Sequence, residues 1–374
     1  MSNRWKGGFI QAYFDPLTVG PETPFGLYSW GDGNQGGSGQ GDIVDRSSPV
    51  QIGSQVVWQE ISASFFASSL AITTTGSLWA WGRNDYGQLA QNNIVYTSSP
   101  VQVGALNTWS YVSIGGFQTL ALKTDGTLWA WGFNTYGSVG NSSVANVSSP
   151  VQIGAGTDWA TIATGGYHSL ATKNDGTLWA WGYNAYGQLG QNNVAYASSP
   201  TQVGALTTWS KVAGGFNHTL ALKTDGTLWA WGYNASGQLG QNNIVNKSSP
   251  VQVGALTTWN TLGTGEDHTV VIKTDGTLWT WGRGDQGELG LNASGFYARV
   301  SSPTQVGAET NWSYVNRGEN NTFSIKTDGT LWVWGDNDAG ELGLGDVTLR
   351  SSPVQVGSDS WQKVVGAKHT LGLR

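Results

Sequence analysis

Lys173-Asn-Asp-Gly-Thr-Leu-Trp-Ala-Trp-Gly-Tyr-Asn-Ala-Tyr-Gly-Gln-Leu-Gly190 is the stretch that decides the fold. Its Trp-Gly pair recurs at Trp30, Trp81, Trp131, Trp181, Trp231, Trp281 and Trp334, at intervals of 51, 50, 50, 50, 50 and 53 residues. A period near fifty is too long for a solenoid coil. It suits one four-stranded propeller blade, which cannot bury both faces without a neighbour on each side. The repeat predicts an all-β, seven-bladed propeller.

Working outward from Trp-Gly, each unit contains Ser-Ser-Pro, a Val-Gln-Val-like strand, Trp-x-x-Val, a Gly-rich turn, His-Thr-Leu-Ala-Leu and Asp-Gly. Asp125, Asp175, Asp225, Asp275 and Asp328 each precede a glycine between two apolar runs, the form of a tight hairpin with positive φ. These hairpins are expected to join third and fourth strands. In the run after the hairpin, Leu128 and Ala130 face one side and Trp129 and Trp131 the other, so both faces must be covered. The Ser-Ser-Pro sites, starting at Ser47, Ser98, Ser148, Ser198, Ser248, Ser301 and Ser351, are expected to open the first strand of each blade, where proline costs no ladder bond. A second tryptophan series, Trp58, Trp109, Trp159, Trp209, Trp259, Trp312 and Trp361, opens the following strand.

The last repeat stops at Lys368-His-Thr-Leu-Gly-Leu-Arg374, while Phe25-Gly-Leu-Tyr-Ser-Trp-Gly31 begins where that repeat breaks off. The two segments should pair antiparallel, closing the seventh blade with three C-terminal strands and one N-terminal strand. Residues 25–374 then form the propeller, and residues 1–24 form a separate arm.

Composition narrows the function. Only 11% of the 374 residues are charged, the net charge is −6, and no Lys/Arg cluster is present to neutralise phosphates. Nucleic acid is therefore a poor partner. Cysteine is absent, which excludes disulfides and thiolate metal sites. No apolar run is long enough for a signal peptide or a membrane span, so no membrane insertion is expected.

The residues from Lys173 to Gly190 resemble the RCC1 repeat family of seven-bladed propellers, with Asn174 in the place of the usual threonine. The resemblance covers residues 25–374. It implies the propeller fold but leaves activity open, because the family includes exchange factors for small GTPases, an inhibitor of β-lactamases and propellers of unassigned role. The basic tail and specialised loop of its chromatin-bound exchange factors have no counterpart that can be placed here. The arm, from Arg4 to Leu17, is similar to leaders on structural proteins of tailed bacteriophages. It is too short for its own core, so Trp5, Phe9, Ile10, Tyr13 and Phe14 are candidate anchoring residues against this propeller or another subunit.

His168, His218, His268 and His369 share one repeat slot with Ser68, Gln118 and Asn321. Interchange with small polar groups points to hydrogen bonds to backbone between strands or blades, and away from catalysis or metal. The repeated aspartates lie a blade apart, too far to act as a glycosidase pair. Gly31-Asp-Gly-Asn-Gln-Gly36 lacks the ligand set of a calcium loop. No catalytic, metal or cofactor site is expected.

Positions that vary between repeats are freer to serve recognition. The slots after Trp-Gly place Arg83, Tyr86, Phe133, Tyr136, Tyr183, Tyr186, Tyr233 and Arg283 on one rim, where an arc of rings and guanidinium groups suits a glycan or a protein. The alternative is that the rings cover loop backbone or the grooves between blades. The sixth repeat carries three extra residues, making Phe296, Tyr297 and Arg299 a candidate contact loop.

Two functions follow from these features. The first is a noncatalytic virion component of a bacteriophage, assembled in the host cytoplasm, docked on other virion proteins through residues 1–24 and showing its rim to a glycan or host surface. The alternative is an RCC1-like regulatory module that binds a GTPase or another protein partner.

Overall fold

The computed structural model describes residues 25–53, 56–293 and 299–374. Their strands form seven four-stranded antiparallel sheets, the blades of a propeller. Among the described residues no helix is long and apolar enough to cross a membrane. In one representative blade, the order from the axis outward is Trp109–Ile114, Gln118–Lys123, Leu128–Gly132 and Val147–Gln152. The inner strands touch in sequence around the ring, and Lys363–Gly366 returns to Trp58–Ala63.

The Ser-Ser-Pro segments do not open blades. Each forms the outermost strand of the preceding blade, as Val147–Gln152 does, with Val151 opposite Ala130 and Val147 opposite Gly132 across a bulge. Proline avoids a ladder bond equally well at either edge of a sheet, so its chemistry does not distinguish a first strand from a last. The Asp-Gly hairpins accordingly join second and third strands. Only their glycines take positive φ, from +76° to +84° at Gly126, Gly176, Gly226, Gly276 and Gly329. The aspartate instead holds the turn with its carboxylate: Asp125 Oδ1 accepts Thr127 N–H at 3.0 Å and its hydroxyl at 2.6 Å.

Closure of the seventh blade uses two strands from each end of the chain. Leu27–Gly31 pairs antiparallel with His369–Leu373, placing Tyr28 opposite Gly372 and Leu27 opposite Leu373. Arg46–Ile52 lies outside it and Lys363–Gly366 inside. The expected split of three and one fails for the same reason as the blade starts. Once Ser-Ser-Pro belongs to the preceding blade, the segment beginning at Ser351 completes the sixth blade, while the one beginning at Ser47 completes the seventh.

The core lies between blades. Leu70, Leu78, Ala80 and Leu89 of one blade pack against Trp109, Val112, Ala121 and Trp131 of the next, and equivalent clusters occur around the ring. Trp131 is fully buried, and its indole N–H donates to the Gln88 carbonyl of the preceding blade at 2.8 Å. The polar end of each Trp-Gly ring is thus satisfied where its apolar body is buried.

Candidate functional site

The loops that follow Trp-Gly and the turns between inner and second strands share one face. Backbone bonds join them, Phe133 N–H to Phe117 O at 2.9 Å and Tyr183 N–H to Tyr167 O at 3.0 Å. A buried asparagine, Asn84, Asn134, Asn184, Asn234 or Asn337, shapes five of the seven loops. Asn134 donates to the carbonyls of Ser143 and Ala145, both at 3.0 Å, and accepts Val139 N–H at 2.9 Å. With the loop interior fixed in this way, the neighbouring side chains are free to vary.

One side of this face is a continuous aromatic cluster. Tyr86 lies 4.9 Å from Phe133, Phe133 5.6 Å from Tyr136, Tyr136 4.8 Å from Tyr183, and Tyr186 4.8 Å from Tyr233. Arg83 stands over Phe117 at 4.9 Å and pairs with Asp85. Six of the eight residues read from the sequence therefore form a row of rings, and Arg83 borders it. Their partial burial serves both readings, since each ring covers its neighbours and keeps an edge to solvent. Burial, and then the neighbouring phenols, push the Tyr183 hydroxyl up to about 12.

The sequence reading missed the inner half of the cluster. Phe66 stacks on Phe117 at 4.6 Å, Tyr167 lies 5.6 Å from Phe216, and Phe216 reaches Phe65, three blades away, at 5.3 Å. These rings meet across the mouth of the central channel. Phe66, Phe117, Tyr167 and Phe216 occupy the two slots before the histidine position, which hold Glu266, Asp267 and Glu319 further round the ring, and Phe65 lies one residue earlier. Comparing those slots between repeats would have found them.

Arg283 is not in the aromatic row. It lies among carboxylates, 3.8 Å from Glu266, 3.1 Å from Asp285 and 4.0 Å from Glu288. Glu288 and Glu341 stand where other blades carry Gln88, Gln188 and Gln238, and burial pushes both up to about 7. Burial also pushes Glu319 up to about 7 and, with the Glu266 charge, Asp267 up to about 6. The face thus divides into an aromatic side and a carboxylate side.

The histidines clasp adjacent blades. His168 and His268 Nε2 each lie 3.0 Å from a hydroxyl of the next blade, on Thr219 and Thr322. The expected partner was backbone, but the bond reaches backbone through that hydroxyl: Thr219 donates to Gln188 O and Thr322 to Glu288 O, both at 2.9 Å. Each ring nitrogen is therefore the donor to the threonine. Room comes from glycine, since a Cβ at Gly215 or Gly265 would lie 2.0 Å from a histidine Cε1.

Arg299 begins the outer strand Arg299–Gln305 and donates to Ala235 O at 3.3 Å. Phe296 and Tyr297 lie outside the described residues, as do Trp5, Phe9, Ile10, Tyr13 and Phe14.

Fold and face together define the class, a seven-bladed propeller whose blades share a Trp-Gly repeat. The family model described as RCC1-like domain matches residues 26–316 and 155–374, and the chain belongs to that family. It is similar to human E3 ubiquitin-protein ligase HERC2, 32% identical over 92 residues, which are 24% of this chain and 2% of the relative. It is also similar to mouse Protein RCC2, 45% identical over 47 residues, 13% of this chain and 9% of the relative. The chain thus spans only a small part of these relatives. Among solved structures, human WBSCR16 superposes with a TM-score of 0.82 at 20% identity, covering 94% of this chain and 99% of that one. Prp20p from Saccharomyces cerevisiae gives a TM-score of 0.83 at 19% identity, covering 94% and 91%.

Proposed function

We propose that this protein is a noncatalytic protein-binding regulatory module that engages its partner through the loop face. The observation that carries the proposal is the division of that face: near-identical blades build the scaffold, while rings gather on one side and carboxylates on the other. Interface anchors are typically aromatic residues and arginine at a desolvated centre, and Arg83 with Phe133, Tyr136 and Tyr183 supplies that combination. Family relatives support a protein partner. Prp20p is described by its binding to Gsp1p and histones, and yeast RCC1 is seen bound to Kap60.

The relatives favour this role over a virion component, and the anchoring role of residues 1–24 falls outside the described residues. The test is capture of partners from the native source with the full chain and with a Phe133→Ser/Tyr136→Ser variant whose thermal unfolding is unchanged. A partner recovered by the full chain and lost from the variant supports the reading. Retention of every partner by the variant would refute it.

A further inference from the structure

Toward the hairpin face, five successive blades end their second strand in a lysine that covers two tryptophans. Lys123 Nζ lies 5.0 Å from the Trp109 centroid and 3.6 Å from that of Trp129. Lys223 repeats this at 5.1 and 3.7 Å, Lys273 at 4.8 and 3.5 Å, and Lys326 at 4.9 and 3.7 Å. Lys173 sits 4.8 and 5.0 Å from its pair and also meets Asp158 at 3.2 Å. In the closing blade the Arg374 guanidinium takes the place, 4.0 Å from Tyr28 and 5.0 Å from Trp361.

The blade that begins at Trp58 keeps the rings and lacks the cation. Trp58 and Trp79 stand edge to face at 6.2 Å, as Trp109 and Trp129 do at 6.0 Å. Its second strand ends in Thr73, whose hydroxyl is bonded to Thr75 at 2.8 Å and to Ser77 N–H at 3.1 Å. No cation lies over these two rings among the described residues. The Asp-Gly-Thr turn is also altered, to Thr75-Gly76-Ser77, and Trp79 Nε1 has lost the acceptor that Thr127 gives Trp129 at 2.9 Å. The rings line a cleft of about 290 Å³ with Gln40, Ile52, Ser99 and Pro100. The matching cleft one repeat pair further on contains Lys173 beside Trp159 and Trp179.

We propose that the Trp58–Trp79 cleft binds an organic ammonium group brought by a ligand, in the position that lysine fills in the other blades. Ring faces attract a cation electrostatically, and the attraction grows when water is excluded. Six blades satisfy this preference with their own side chains, so the scaffold itself shows what the site accepts. A ligand oxygen beside the ammonium would accept the Trp79 indole proton. A lysine side chain and a quaternary ammonium headgroup share this chemistry.

The test uses the full chain labelled with 5-fluorotryptophan, its Trp58 and Trp79 signals assigned by W58F and W79F. Tetramethylammonium chloride and Nα-acetyl-lysine methylamide are titrated separately against matched sodium chloride. Saturable shifts of Trp58 and Trp79, with a dissociation constant on the order of millimolar, are expected from at least one probe. The tighter probe identifies the source of the ammonium. Thr73→Lys should supply the missing internal cation and weaken the response by roughly tenfold or more. Lys123→Thr should open a second responding pair at Trp109 and Trp129. Shifts no larger than those from sodium chloride, or an undiminished response in folded Thr73→Lys protein, would overturn the proposal.

Discussion

His369 Nε2 lies 2.5 Å from Ser69 Oγ, across the seam where the last strand meets the first blade after it. Ser69 donates to Gly37 O at 2.9 Å, so the histidine must be the donor to the serine, and its ring is fully buried. Burial holds this imidazole down at about 4, and His268 at about 3, against an ordinary value of 6.5. The unfolded chain takes up these protons first as pH falls. The stability that the neutral rings contribute is therefore complete above pH 6.5 and is lost progressively toward the folded values. A His268→Gln/His369→Gln variant, using the residue that Gln118 shows is tolerated, should gain on the parent by on the order of 2 kcal/mol per pH unit below 6.5. Urea unfolding of both proteins from pH 7 to 5 checks this; parallel curves would count against it.

Glu288 has the opposite sign. Gln286 N–H donates to its carboxylate at 2.7 Å, the bond that Tyr86 N–H makes to Gln88 at 2.9 Å, but a carboxylate lacks the amide donor of glutamine. Burial raises it from 4.5 to about 7. The folded state therefore holds a proton that the unfolded chain releases. Its stabilisation is complete below pH 4.5 and is lost as pH rises through about 7. Glu288→Gln should raise stability at pH 8 by on the order of 2 kcal/mol and do little at pH 5. Thermal unfolding at the two pH values measures the difference, and an equal effect at both would reject the assignment.

The blade count, the hairpins and the pairing of Tyr28 with the C-terminal strand were all legible because repetition multiplies weak local signals. The outer position of Ser-Ser-Pro was not, since an edge proline is equally acceptable at either end of a sheet. The row from Tyr86 to Tyr233 was visible as variation between aligned slots. Phe65 meeting Phe216 was not, because ring curvature brings together residues three repeats apart. Glu288 was visible in principle as a break in a glutamine series, but only burial gives that change its electrostatic weight.

Closure also predicts equal cost at the seam and elsewhere. Trp30 is fully buried, packs on Trp361 at 5.4 Å and donates to Glu341 O at 2.7 Å, joining residues 311 apart in sequence. Trp181 makes the same bond away from the seam, to Ser138 O at 3.0 Å. Trp30→Ala and Trp181→Ala should each lose about 3 to 5 kcal/mol of stability to urea, the usual cost of deleting a large buried ring. A much smaller loss for Trp30→Ala would mean that the seam opens in solution.

Two glycines with positive φ separate backbone strain from crowding. Gly226, at φ +77°, ends an Asp-Gly hairpin, and a Cβ there would lie 2.1 Å from the Thr257 carbonyl oxygen of the neighbouring loop. Gly204, at φ +61°, has nothing within 4 Å of that position. Gly204→Ala should cost only the left-handed penalty, about 1 to 2 kcal/mol. Gly226→Ala adds a clash with backbone that has no rotamer to escape into, so the loop from Thr257 to Trp259, whose Trp259 N–H donates to Gly226 O at 3.2 Å, must move with it. The second variant should therefore be the less stable by a clear margin in thermal unfolding. Equal midpoints would show that the hairpin and the following loop are not packed as described.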